Sequence, residues 1–187
     1  MVKLIEIVDI RAGYSFREGL SKAESGDLPV IQFKDISNLY IDDVSTCFSI
    51  SEEKIKPSHL LRCGDVLLSN RGNYKAALFN VAAKSIASGV FFILTIKDKS
   101  FLPEYIATFL NSAKGQKALS ERQNSAGMPS IIRSELEQID IPFIPLEKQK
   151  QIVELFLLYE KEVDTMEKIK QNRKKLINSI LSQTIKE

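Results

Sequence analysis

The sequence predicts an α+β fold. A globular head of mixed strands and helices spans residues 1–145, and one long C-terminal coiled-coil helix spans 146–187. Three observations carry this reading. The first 145 residues alternate short apolar runs with turn formers, strand-like segments ahead of a helix-like one. Residues 146–187 contain neither Gly nor Pro and are dominated by Glu, Lys, Gln, Ile and Leu, a helix-forming composition. At 187 residues and 44% hydrophobic, the chain is large enough for one core plus an appendage.

The elements follow in order. Leu4, Ile7, Val8 and Ile10 suggest a short amphipathic helix that stops at Gly13. LPVIQF (28–33), DVLLS (65–69) and the segments 76–81 and 90–96 predict strands. Residues 101–119 predict a helix with Tyr105, Ile106, Phe109 and Leu110 on one face. IDIPFI (139–144) is a last extended piece, confined to an edge or a strand end by Pro142. Pro145 suits a first helical turn, and Glu147 places an acid there.

At about 1.5 Å per residue, the C-terminal helix would be a rod of roughly 60 Å. It carries a heptad-like stripe: Ile152, Phe156, Tyr159, Val163, Met166, Ile177 and Ile180, interrupted by Lys170 and Arg173. Ile169 and Leu176 offer a slightly rotated alternative. The rod would either lie lengthwise on its own head or clasp a partner helix. The second is simpler, because the head is small for such a length.

Composition excludes several classes. The net charge is only +2, and the first 145 residues hold 17 Lys+Arg against 17 Asp+Glu. There is no polybasic arm, so nucleic-acid binding would need a local basic face. No apolar run approaches about 18 residues, so no membrane contact is expected. Glu6 and Asp9 interrupt the N-terminal apolar run, which argues against a signal peptide and for a cytoplasmic chain. Cys47, Cys63 and His59 cannot supply a zinc site rich in N and S ligands. No phosphate-binding loop or dinucleotide fingerprint is present. No metal site or catalytic residue is expected.

Two polar clusters remain. The first is the turn Ser69, Asn70, Arg71, Gly72, Asn73, Tyr74, with Lys75 after it. The second runs Arg122, Gln123, Asn124, Ser125, Gly127, Ser130, Arg133. Asn, Gln and Arg side chains make bidentate contacts to purine edges, and Lys and Arg reach phosphates. A protein–protein adaptor that dimerises through its helix is one alternative. A small Mg-dependent nuclease around Asp43, Glu52, Glu53 and Lys54 is another.

Four segments, in this order, resemble a target-recognition domain of the type I restriction–modification specificity subunits. They are the opening helix with Gly13 followed by LPVIQFKDI, the stretch LRCGDVLLSNRG, the join IDIPFIPLEKQKQIVE, and the long helix after it. The join is the most specific. The resemblance implies sequence-specific recognition of double-stranded DNA. It also implies association with a methyltransferase subunit that brings S-adenosylmethionine, and with a restriction subunit. The family's usual chain has two recognition domains and two spacer helices; this sequence has one of each, like a half-subunit.

On this reading Asn70, Arg71 and Gln123 contact base edges, and Lys75, Arg122 and Arg133 contact phosphates. Ser69 and Ser130 line the groove, and Gly72 and Gly127 allow close backbone approach. A homodimer through antiparallel C-terminal helices would hold two heads at a fixed separation and read a bipartite target.

Overall fold

The computed structural model describes residues 1–16, 25–53, 55–124 and 128–184. Their arrangement is the expected α+β, with strands in the head and a long helix at the C-terminus. A five-stranded sheet has the order β2 (Val8–Ala12), β9 (Phe91–Ile96), β6 (Val66–Ser69), β7 (Ala76–Phe79), β4 (Tyr40–Ile41). All its pairs are antiparallel except β4 with β7. A three-stranded sheet places β3 (Ser25–Ile31) between β5 (Phe48–Ile50) and β8 (Ile86–Ala87). The parallel pairing with β8 involves only Val30 and Ile31, so Pro29 lies outside that ladder.

The large sheet is buried on both faces. Val66, Leu68, Ala76, Leu78, Phe92 and Leu94 face the helices, while Leu67, Ala77, Phe79, Phe91 and Ile93 face the β3 side. This explains why β6, β7 and β9 are continuous apolar runs rather than alternating ones. The elements missed at the sequence level, such as β4 and β8, are two residues long and too short to show a period.

Two expectations are corrected. The amphipathic helix of residues 4–10 is a single turn, α1 (Leu4–Ile7), after which the chain extends as β2. Val8 to Ala12 pair along β9 from Ile96 to Phe92, and this long ladder overrides the weak helical spacing. The helix of 101–119 is two helices, α2 (Pro103–Asn111) and α3 (Ala113–Ser120). Ser112 breaks it, because its Oγ accepts from Gly115 N–H (3.2 Å) and caps α3. Gly115 packs against the last turn of α2, where an added Cβ would stand 2.0 Å from the Phe109 carbonyl oxygen. Gly115→Ala is therefore expected to destabilise the head by roughly 1–3 kcal/mol in a urea melt. An unchanged midpoint would show that the α2–α3 corner opens freely.

Asn111 locks α2 to the sheet: its Nδ2 donates to the Ala76 carbonyl and its Oδ1 accepts from Ala76 N–H, both at 2.8 Å. A two-stranded ladder of β1 (Val2–Lys3) and β10 (Asp140–Ile141) closes the head next to the join. Between α3 and β10 comes one further short helix, α4 (Arg133–Glu137).

The last element, α5 (Leu146–Thr184), is one unbroken helix of 39 residues, about 58 Å long. Pro145 precedes it, and its carbonyl accepts from Gln149 N–H (3.1 Å). Gln149 and Val153 are buried on the head, and Phe156 and Leu157 pack against the head's core. From Lys161 to Ser182 every residue is exposed. The rod is thus not covered by its own head; it leaves the head after Glu160 as a stalk. Among the described residues no helix is long and apolar enough to cross a membrane.

Candidate nucleic-acid interface

The turn between β6 and β7 and the segment after α3 lie some fifty residues apart in sequence, yet they form one edge. Gly72 N–H donates to the Pro129 carbonyl (2.8 Å), and Ile131 N–H donates to the Asn70 carbonyl (3.0 Å). Arg71 and Ser130 form an antiparallel bridge, and Asn124 bridges Ser130 in turn. Gly72 has φ +70°, which a residue with a side chain adopts only under strain. Two shallow depressions flank Arg71. One, about 340 Å³, is lined by Asn70, Arg71, Met128, Ser130 and Ile131. The other, about 230 Å³, is lined by Phe33, Ser69, Arg71, Gly72, Asn73 and Val90.

The structure separates these polar residues by role. Ser69 is buried, with Oγ donating to the Asn73 carbonyl and accepting from Lys75 N–H, both 2.8 Å; it shapes the turn from within. Asn70 Nδ2 donates to the Gly89 carbonyl (3.1 Å). Gln123 Oε1 accepts from the Tyr74 hydroxyl (3.4 Å), which brings it to the same edge. Lys75 turns inward, donating to the carbonyls of Ile36 (2.9 Å) and Ser37 (2.7 Å).

Arg122 reaches back to the Ala118 carbonyl (3.5 Å) and lies close enough to Asp140 to help lower its carboxyl pKa, after Lys3. Arg133 pairs with Glu137 at 2.7 Å, one turn along α4. Of the four cations named from sequence, Arg71 is the one with neither an ion pair nor a side-chain hydrogen bond among the described residues. Gly127 and its neighbours Ser125 and Ala126 lie outside the described residues. Phe33 and Met128, exposed by 41% and 66%, join the edge without having been named from sequence. Phe33 ends the apolar run LPVIQF and Met128 stands in a small polar stretch, and only the fold places both beside Arg71.

The Gly64-Asp65 pair has a structural function. Asp65 is 1% exposed. It accepts from Arg11 Nη2 (2.5 Å), from the Thr95 hydroxyl (2.5 Å) and from Arg62 N–H (2.9 Å). Arg11 Nη1 also donates to the carbonyls of Ser58 and Leu60. One buried carboxylate therefore fixes three strands and the 58–62 segment behind the turn.

Two acids of the nuclease alternative have separate partners among the described residues. Asp43 caps Ser45 through both its carboxylate oxygens (2.8 and 2.7 Å), whereas Glu52 pairs with Lys84 (2.7 Å). Lys54 lies outside the described residues. Among the described residues no group of three or more His, Cys, Asp or Glu could hold a metal ion.

The stalk has two sides. Gln149, Val153, Phe156, Leu157 and Glu160 meet the head, so Phe156 belongs to the head and not to the free stripe. Ile152, Tyr159, Val163, Met166, Ile177 and Ile180 are exposed, as are Leu155, Ile169 and Leu181. Met166, Ile169 and Ile177, with Lys170, Arg173 and Lys174, line a mainly apolar groove along the far part of the rod.

The head thus presents a polar edge on which, among the described residues, the Arg71 guanidinium has no partner, and it carries a helical stalk with an exposed apolar stripe. Residues 1–174 match the model of the type I restriction modification DNA specificity domain, and the chain belongs to that family. It is 24% identical over 163 residues to a Methanocaldococcus jannaschii protein named as the type I restriction enzyme MjaX specificity subunit, covering 81% of this chain and 38% of the relative.

Solved structures share the fold. A chain from the structure of a type I R-M system superposes with a TM-score of 0.67 at 21% identity, over 96% of this chain and 42% of that one. The HsdS subunit from Thermoanaerobacter tengcongensis gives 0.60 at 22% identity, over 90% and 38%. The type I S subunit from M. genitalium gives 0.59 at 14%, over 92% and 42%. The chain spans about two fifths of the length of the relatives it matches.

Proposed function

We propose that the head reads one half of a bipartite DNA target and that the stalk sets the distance to a second reading head. Family membership supports DNA as the ligand. The convergence of the Asn70–Gly72 turn with the Pro129–Ile131 segment around Arg71, which has no side-chain partner among the described residues, supports this edge as the reading surface. That convergence is the observation on which the assignment rests. Arg71, Asn70 and Gln123 are the base-reading side chains. Arg122 and Arg133, close in sequence to Gln123 and to the Ser130–Ile131 segment, contact phosphates after leaving their present partners.

The second head belongs to another copy of this chain, paired through the exposed stripe in antiparallel fashion. A methyltransferase subunit carrying S-adenosylmethionine and a restriction subunit bind the assembled stalk, and this chain supplies no catalytic group. Its place is the cytoplasm, where the DNA is.

The test is co-expression with the methyltransferase subunit followed by mapping of methylated positions. Arg71→Ala is expected to relax the same base position in each of the two inverted half-sites, losing about 10- to 100-fold in discrimination there, as a lost bidentate contact would. An unchanged motif with unchanged occupancy removes Arg71 from the reading surface.

A further inference from the structure

The stalk is joined to the head at two points that differ from ordinary core packing. Gln149, although polar, is 0% exposed. Its Nε2 donates to the carbonyls of Ser100 (2.7 Å) and Ile144 (2.9 Å), and its Oε1 accepts from Leu102 N–H (2.8 Å). One side chain thus ties α5 to the start of α2 and to the join. Three turns further on, Glu160 Oε2 accepts from Leu39 N–H (3.1 Å). This is the last contact before the stalk becomes fully exposed.

The second point leads back to the reading edge. Lys75 follows the Asn70–Tyr74 turn directly, and its ammonium holds the carbonyls of Ile36 and Ser37, three and two residues before Leu39. The same ammonium acts electrostatically on the Glu160 carboxylate. Burial raises the Glu160 pKa, while the Leu39 N–H and Lys75 oppose that rise. The turn, the 36–39 segment and the stalk therefore meet at one charged cluster.

We infer that Gln149 and Glu160 are positioning residues that fix the angle between head and stalk. On the function proposed above, they decide how strictly the gap between half-sites is measured. The lever is long. The free segment 161–184 extends roughly 36 Å, so a rock of about 5° at Glu160 moves its tip by about 3 Å. One base pair rises about 3.4 Å. Apolar contacts lack direction and do not by themselves fix an angle to that tolerance. Directed hydrogen bonds at two points three turns apart resist such a rock.

The experiment uses the full chain. Nitroxide labels are placed on the exposed Cys63 and on the exposed stalk position Asn178→Cys, with Cys47→Ser to remove the other thiol. Labelled chains are diluted with unlabelled ones, so that only the within-chain distance is read. Glu160→Ala is expected to broaden the distance distribution by about 3 Å, the tip displacement of the lever above. Glu160→Gln keeps an acceptor for Leu39 N–H and is expected to hold the original width. Gln149→Ala is expected to broaden it further; should that variant fail to fold, the Glu160 pair still decides.

In the co-expression assay, Glu160→Ala is expected to add methylated sites with gaps one base pair longer or shorter, with unchanged half-sites. Unchanged widths in Glu160→Ala overturn the joint. Broadened widths with an unchanged gap overturn its link to gap measurement. If the unmodified chain directs no motif-specific methylation, the proposed function falls, and the distance measurement alone judges the joint.

Discussion

Asp65→Ala is expected to destabilise the head by about 3 kcal/mol, the low end of what breaking a buried ion pair costs. The carboxylate is 1% exposed and satisfies three donors at once: Arg11, Thr95 and the Arg62 N–H. Removing it strands the Thr95 hydroxyl and leaves a guanidinium with two carbonyls but no counter-charge. The low end applies because the Arg11 side chain is 28% exposed and water can reach it. Urea unfolding followed by circular dichroism measures the change. A loss below about 1 kcal/mol, the range of a surface pair, would mean that packing alone holds the 58–62 segment to the sheet.

Val163→Glu combined with Met166→Glu is expected to abolish self-association. Both residues are exposed on the stripe and lie beyond the last contact of the stalk with the head. The substitutions should therefore leave the head folded, with the melting temperature falling only by the stabilisation that pairing supplies. In a paired seam they would bury two carboxylates without partners, at several kcal/mol in all, or about 100-fold or more in dimer affinity. Sedimentation velocity separates the outcomes. Dimers of unchanged affinity would place the contact off this stripe, and monomers already in the parent chain would withdraw the two-headed arrangement.

Much of the fold was legible because it rests on local pattern. Strands 66–69, 76–79 and 91–96 announce themselves as apolar runs between turns, and the stalk as a tract free of Gly and Pro. The break at Ser112 had a signal too, a capping Ser three residues ahead of Gly115, but an apolar face running through residues 101–119 masked it. The strand at residues 8–12 was hidden by coincidence: Leu4, Ile7 and Val8 suit helical spacing, and only the partner β9 decides between the two.

The candidate site divides in the same way. Residue types in the 69–75 and 122–133 stretches mark them as candidate contacts. Nothing local says that they meet, because Gly72 and Pro129 find each other only through the sheet and α3. Lys75 looks like any surface lysine in the sequence, yet it turns in to the Ile36 and Ser37 carbonyls. Gln149 looks like any polar helix residue and is wholly buried.

The sequence by itself determined the central strands and that one long helix follows Pro145, since these follow from propensity and periodicity along the chain. Only the tertiary structure decided which polar side chains face solvent and which hold the head and stalk together. A hydrogen-bonding group is assigned by the partners that long-range packing delivers to it, and residues far apart along the chain carry no mark of their meeting.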